Sequence, residues 1–119
     1  MIKRWSISED VIKEFKDKNS DRFVDTLAPE IIDINPQNII AINRTYKYPE
    51  ILNDYKMQIL KKSVCEKGWT NEKPHGFCLL MFPNGDLVVA GAGNHRAVLS
   101  RELSISSVKA SVAKVIYCD

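Results

Sequence analysis

The stretch from Phe77 to Leu103 constrains the fold more than any other part of the 119-residue chain. Phe77-Cys78-Leu79-Leu80-Met81-Phe82 is a continuous apolar run of strand length, and Leu87 to Ala90 is a second. Between them Pro83-Asn84-Gly85-Asp86 carries the Asn-Gly pair favoured in tight hairpins. The second run passes directly into Gly91-Ala92-Gly93-Asn94-His95-Arg96. Ala97 to Leu103 then has helical spacing, with Leu99 and Leu103 one turn apart. A buried hairpin that feeds a helix through a glycine turn requires a sheet with a helix packed on its face. It is also incompatible with a membrane helix, which needs about 20 apolar residues.

The flanking sequence extends this core. Ser6-Ile7-Ser8-Glu9 has the Ser-x-x-Glu form of a capping box, and Val11, Ile12 and Phe15 supply one apolar stripe, predicting a helix over 9–18. Ile31 to Ile34 and Asn38 to Ile42 read as strands, and Asn43 to Pro49 as a loop. Pro49 suits the first turn of a helix that stops at Lys67-Gly68. On that helix Leu52, Tyr55, Ile59 and Ser63 share a face, with Met57, Leu60 and Val64 beside it, and Leu52, Tyr55, Ile59 and Leu60 are expected in the core. Val108 to Tyr117 is the last strand; its apolar alternation slips by one residue after Val112, which predicts a bulge. The expected fold is α+β, a small mixed β-sheet with flanking helices over 29–119, preceded by an N-terminal helical extension over 1–28.

Lys plus Arg is 17 against 15 Asp plus Glu, a net charge of +2, and the balance is even along the chain. A general electrostatic coat for nucleic acid needs a larger excess, whereas two or three placed cations suffice for a small anion. The three cysteines, Cys65, Cys78 and Cys118, have no CxxC spacing, so neither a disulfide framework nor a cysteine zinc site is expected. With two histidines and no acidic cluster, no protein-only metal site is expected either. The start, Met1 to Ser6, lacks the apolar stretch of a signal peptide, so a soluble cytoplasmic protein with no membrane partner is expected.

Chemistry concentrates in Gly91 to Arg96. Glycines allow close backbone approach to a ligand, unpaired N–H groups and the dipole at the next helix's start favour an anion, and Asn94 suits a helix cap. His95 and Arg96 add donors, Arg with the fork geometry of phosphate recognition. The same pattern also describes a plain strand-to-helix turn with a surface Arg. It lacks the Gly-Lys-Ser/Thr ending of a P-loop and the third glycine of a dinucleotide fingerprint.

The stretch Ile31 to Tyr117 resembles the ParB/sulfiredoxin-like superfamily, most closely from Leu52 to Val115. A helix ending in Gly68, a hairpin, Gly93-Asn94-His95-Arg96-Ala97 opening a helix, and a final strand follow the family order. Sulfiredoxins have Gly-Cys-His-Arg where this chain has Gly93-Asn94-His95-Arg96. An Asn cannot replace the cysteine thiolate as nucleophile, so sulfiredoxin activity is not expected. Chromosome-partition ParB proteins continue into further domains, so a complete partition protein is not expected.

The resemblance implies nucleotide phosphates on the Gly-x-x-Arg turn: ATP in sulfiredoxins, CTP in ParB, and ATP or ADP in relatives that phosphorylate free serine. Carried over by motif, Gly91, Gly93, Asn94, His95 and Arg96 are the phosphate-site candidates. Lys56 follows the Lys of the sulfiredoxin Lys-x-x-Ser-x-x-x-Thr-Ile pattern, with Ile59 in place of the Ser, and Arg44 resembles the family's Arg before that helix. A nucleotide-bound Mg²⁺ is compatible with this; Glu30 and Asp33 are the acidic residues nearest the early strands, where some kinase relatives use a Glu. The catalytic residues are not readable. Two other functions stand beside nucleotide binding. One is a ParB-like nuclease or DNA-processing accessory with a basic face of Lys56, Lys61, Lys62, Arg96 and Arg101. The other is a non-catalytic module that meets a protein partner through the N-terminal helix.

Overall fold

A computed structural model describes residues 4–119, so Met1, Ile2 and Lys3, which begin the expected 1–28 extension, lie outside the described residues. In chain order the elements are β1 (Ser6–Ile7), α1 (Ser8–Lys18), β2 (Val24–Thr26), β3 (Glu30–Ile34), β4 (Ile39–Ile42), α2 (Tyr55–Lys67), β5 (Cys78–Met81), β6 (Leu87–Val89), α3 (Asn94–Glu102) and β7 (Val108–Tyr117). Short 3-10 turns lie at Pro36–Asn38, Glu50–Asn53 and Pro74–Gly76. The fold is α+β, as expected.

The hairpin β5–β6 forms at the Asn-Gly turn, with Leu79↔Val89 and Met81↔Leu87 in antiparallel register. It is the centre of one mixed sheet in the order β1-β4-β6-β5-β7. β1/β4, β4/β6 and β5/β7 run parallel. On the far edge β3 and β2 both pair antiparallel with β7, from Glu30↔Val112 to Ile34↔Val108 and from Val24↔Tyr117 to Thr26↔Val115.

The two faces of the sheet are covered by different parts of the chain. The larger core joins Ile39, Met57, Phe77, Leu79, Val98 and Val108 between the sheet and the helices α2 and α3. Fully burying an aliphatic or aromatic side chain of this size contributes about 1.5–3 kcal/mol. On the reverse face Ala41, Phe82, Val88 and Val115 pack with Val11, Ile12 and Phe15 of α1. The Phe15 ring lies 4.8 Å from that of Phe82. The segment expected as an extension therefore joins the same sheet: β1 adds to one edge, β2 to the other, and α1 covers the back.

Several local expectations change. β7 itself carries no bulge, because its register with β5 is continuous from Ser111 to Lys114; the one-residue slip lies on the partner side, between Thr26↔Val115 of β2 and Glu30↔Val112 of β3. Burial switches from Val112 on the α2/α3 face to Val115 on the other because α1 covers the reverse face there. The Ser6–Glu9 capping box is not made. Ser6 pairs with Ala41 in the sheet, and Ile7 precedes α1 with no side-chain cap.

Helix α2 begins at Tyr55, not at Pro49, because the chain first makes the Glu50–Asn53 turn. The Asp54 carboxylate then caps α2 by accepting the Met57 N–H at 2.8 Å. This start turns Met57, Leu60 and Val64 inward. Tyr55 and Ile59, expected in the core, are 80% and 54% exposed. The end is as expected: Gly68, at φ 74°, donates its N–H to Val64 O at 2.7 Å. Among the described residues no helix is long and apolar enough to cross a membrane.

Candidate functional site

The glycine turn is built by the start of β5. Cys78 N–H donates to Ala92 O at 3.0 Å, and Ala90 N–H donates to Cys78 O at 2.9 Å, which draws the turn across Phe77. Gly93 pays the steric consequence: its φ is 100°, and a Cβ there would lie 2.7 Å from the Phe77 ring and 2.9 Å from Phe77 Cα. Only glycine fits that combination of close approach and left-handed backbone. Gly91 has φ 102° but open space around it.

Gly93, rather than Asn94, is the cap residue of α3. Asn94 is buried, and a buried amide must find partners. Its Oδ1 accepts the Asn43 N–H at 2.8 Å, and its Nδ2 donates to Gly91 O at 3.2 Å. Asn43 returns the contact, its Oδ1 accepting the Gly91 N–H at 3.1 Å. This amide pair ties the end of β4 to the turn. It occupies the Gly91 N–H and the Asn94 side chain in holding the turn's shape. Asn43 was not legible as a site residue, since its partner lies 51 positions away.

His95 faces α2. Its Nε2 lies 2.8 and 3.0 Å from the two Asp54 oxygens, and Tyr46 meets its ring edge-on at 4.8 Å. Asp54 thus links the starts of α2 and α3. Partial burial pushes the Asp54 carboxyl up. The His95 hydrogen bond, the Met57 N–H and the nearby charges of His95 and Lys56 outweigh this and hold it below the ordinary value.

Arg96 faces away from that pair. Its Nη1 donates to Lys73 O at 2.8 Å, anchoring the loop after α2 against the start of α3. Arg96, Lys56 and Lys73 line one cleft of about 490 Å³, with Ile59, Leu60, Ser63, Val64, Trp69, Thr70 and Glu72. None of the three cations has a salt-bridge partner among the described residues. Of the sequence candidates, then, Lys56 and Arg96 come together. Lys73 and Trp69 lie in the loop after α2 and belong to no sequence motif; a Trp beside a cation-bearing loop is the available signal.

Arg44 does not join them. Its guanidinium pairs with Asp10, its N–H donates to Glu9 Oε1 at 3.0 Å, and it lines a second hollow with Trp5, Tyr46, Lys47 and Tyr48. The cause is α1, whose acidic first turn packs beside the β4 exit. Two members of the expected basic face are also engaged internally. Lys61 Nζ donates to Leu52 O at 2.7 Å. Arg101 donates to Ile39 O at 2.9 Å and lies over the Trp5 ring at 4.4 Å, where burial holds its pKa below the ordinary value. Asp33 is paired with Lys109 Nζ at 3.0 Å at the outer edge of the sheet. Among the described residues no three His, Cys, Asp or Glu side chains gather as a metal site. Comparison of the chain with family models, with curated proteins and with solved structures finds no match.

Proposed function

We propose that the chain binds the phosphates of a nucleotide in the cleft between α2 and the start of α3. The observation that carries this is that Lys56, Lys73 and Arg96 line one cleft and none of them is in a salt bridge among the described residues, with Glu72 the single carboxylate on that lining. A polyanion in this cleft would meet cationic side chains from α2, from the loop after it and from α3. Each charged hydrogen bond to a phosphate is worth about 1.5–3 kcal/mol, and Arg supplies a two-pronged donor that Lys does not. The first turn of α3 adds the positive end of a helix dipole. The resemblance of Gly93-Asn94-His95-Arg96 to the ParB/sulfiredoxin-like turn supports the same ligand class, ATP, ADP or CTP, with Mg²⁺ carried on the nucleotide. Asn94 supplies no thiolate, so sulfiredoxin chemistry is not part of this proposal. Hydrolysis or phosphoryl transfer would draw on positioning and cations, with Asp54 holding the His95 ring.

The test is calorimetric titration of the full chain with ATP, ADP, CTP and GTP, each with and without Mg²⁺. Saturable binding that is lost in a folded Arg96→Ala variant is expected. Absence of binding to all four at millimolar nucleotide overturns the proposal.

A further inference from the structure

A phosphate site needs cations and little else, yet half of this cleft is built differently. Ile59 is an apolar residue on α2 left 54% exposed, and it opens into the cleft. Trp69 packs against the main core on one side and lines the cleft on the other. The hydroxyl of Ser63, on the same stretch of α2, also lines the cleft. A volume of about 490 Å³ lies within the ordinary range of small-molecule pockets and exceeds what a phosphate group fills. The lining therefore divides between apolar surface, with Trp69 and Ile59, and charged residues, Lys56, Lys73 and Arg96 with Glu72.

From this division we infer that the ligand is recognised by its aromatic base as well as its phosphates, the base lying on Trp69 and Ile59 while the phosphates meet Lys56, Lys73 and Arg96. The inference rests on the nucleotide reading above and adds where the base sits. Every base offers a π-face, so stacking of this kind separates nucleotides from bare polyphosphates more sharply than one base from another. Ser63 is placed to hydrogen-bond the sugar or the base edge.

The test compares ATP and CTP with inorganic tripolyphosphate, which carries the phosphates without the base. Affinity is read by calorimetry and by tryptophan fluorescence. The chain has two tryptophans, so a Trp69→Phe variant assigns the signal. ATP and CTP are expected to bind about 10-fold or more tightly than tripolyphosphate and to quench Trp69. Trp69→Phe should keep most of the affinity and lose the quench. Because Trp69 also packs on the core, Ile59→Ser is the second variant; it leaves the core untouched and should weaken ATP several-fold while tripolyphosphate is unaffected. Tripolyphosphate binding as tightly as ATP, and lost in Arg96→Ala, overturns the base seat and leaves the phosphate reading intact. No binding by any of the three overturns both.

Discussion

Two hollows on this molecule are furnished alike and wired differently. The cleft at the start of α3 has Trp69 with Lys56, Lys73 and Arg96; the hollow beside β1 has Trp5, Tyr46 and Tyr48 with Arg44 and Lys47. In the second, most of the furnishings are engaged within the fold, Lys47 excepted. Arg44 pairs with Asp10, the Tyr48 hydroxyl donates to Glu102, and Arg101 covers Trp5. In the first, Lys56, Lys73 and Arg96 make no salt bridge among the described residues, although Glu72 shares the lining, and Arg96 donates to a backbone carbonyl. Composition alone does not distinguish a binding site from a structural joint. What distinguishes them is whether the charges have found partners within the fold. The His95–Asp54 pair connects the two, since Tyr46 of one hollow touches His95 and Arg96 of the other follows it in α3.

The turn that supports both regions should be the most sensitive point. Gly93→Ala adds a methyl 2.7 Å from the Phe77 ring at φ 100°, while Gly91→Ala at φ 102° meets nothing within 4 Å. Backbone strain of about 1–3 kcal/mol applies to both, and overpacking of about 1–3 kcal/mol applies only to Gly93. Urea unfolding should therefore show Gly93→Ala as much the more damaging of the two. Equal losses would mean that the approach to Phe77 is not tight.

The next effect concerns the link between the helices. Asn caps a helix about as well as Asp, so Asp54→Asn retains the α2 cap and removes the charge facing His95. The Asp54 carboxyl is held below its ordinary value in the folded chain. Its contribution is therefore present above the unfolded carboxylate pKa of about 3.9 and is lost as pH falls through the folded value. Wild type should be more stable than Asp54→Asn at pH 7, and the gap should close on acidification below about pH 4. A gap that widens on acidification has the wrong sign for this account.

The smallest effect should come from the second hollow. The Arg44–Asp10 pair is 60% and 58% exposed, and exposed pairs contribute about 0–1 kcal/mol. Arg44→Ala should move the unfolding midpoint little, and the shift should shrink further at high salt. A larger, salt-independent loss would show that α1 depends on this pair for its seat.

What the sequence made legible was local. The hairpin at Asn84-Gly85, the glycine turn, the stop at Gly68 and the extent of β7 each follow from neighbours within a few residues. The stripe on α2 was misplaced because its register is set by the Asp54 cap after a 3-10 turn that Pro49 had masked. The slip in β7 read as a bulge because the helix that covers its reverse face, α1, lies about a hundred positions earlier in the chain. Of the candidate site, Arg96 and Lys56 were found by motif. Lys73 and Trp69 were not, because their places depend on tertiary contacts: the Arg96 bond to Lys73 O, which joins residues 23 apart, and the packing of Trp69 on the main core. Arg44 lies apart from them for the converse reason: its partner, Asp10, lies in α1.

The central proposal is that Lys56, Lys73 and Arg96, which make no salt bridge among the described residues, form a binding site, and that Arg44, paired with Asp10, takes no part in it. The most direct measurement is titration of ATP into the wild type and into Lys56→Ala, Arg96→Ala and Arg44→Ala, each verified as folded. The account predicts binding weakened about 10-fold or more by the first two substitutions and unchanged within about two-fold by the third. Equal weakening by Arg44→Ala, or ATP binding that survives loss of both Lys56 and Arg96, would contradict it.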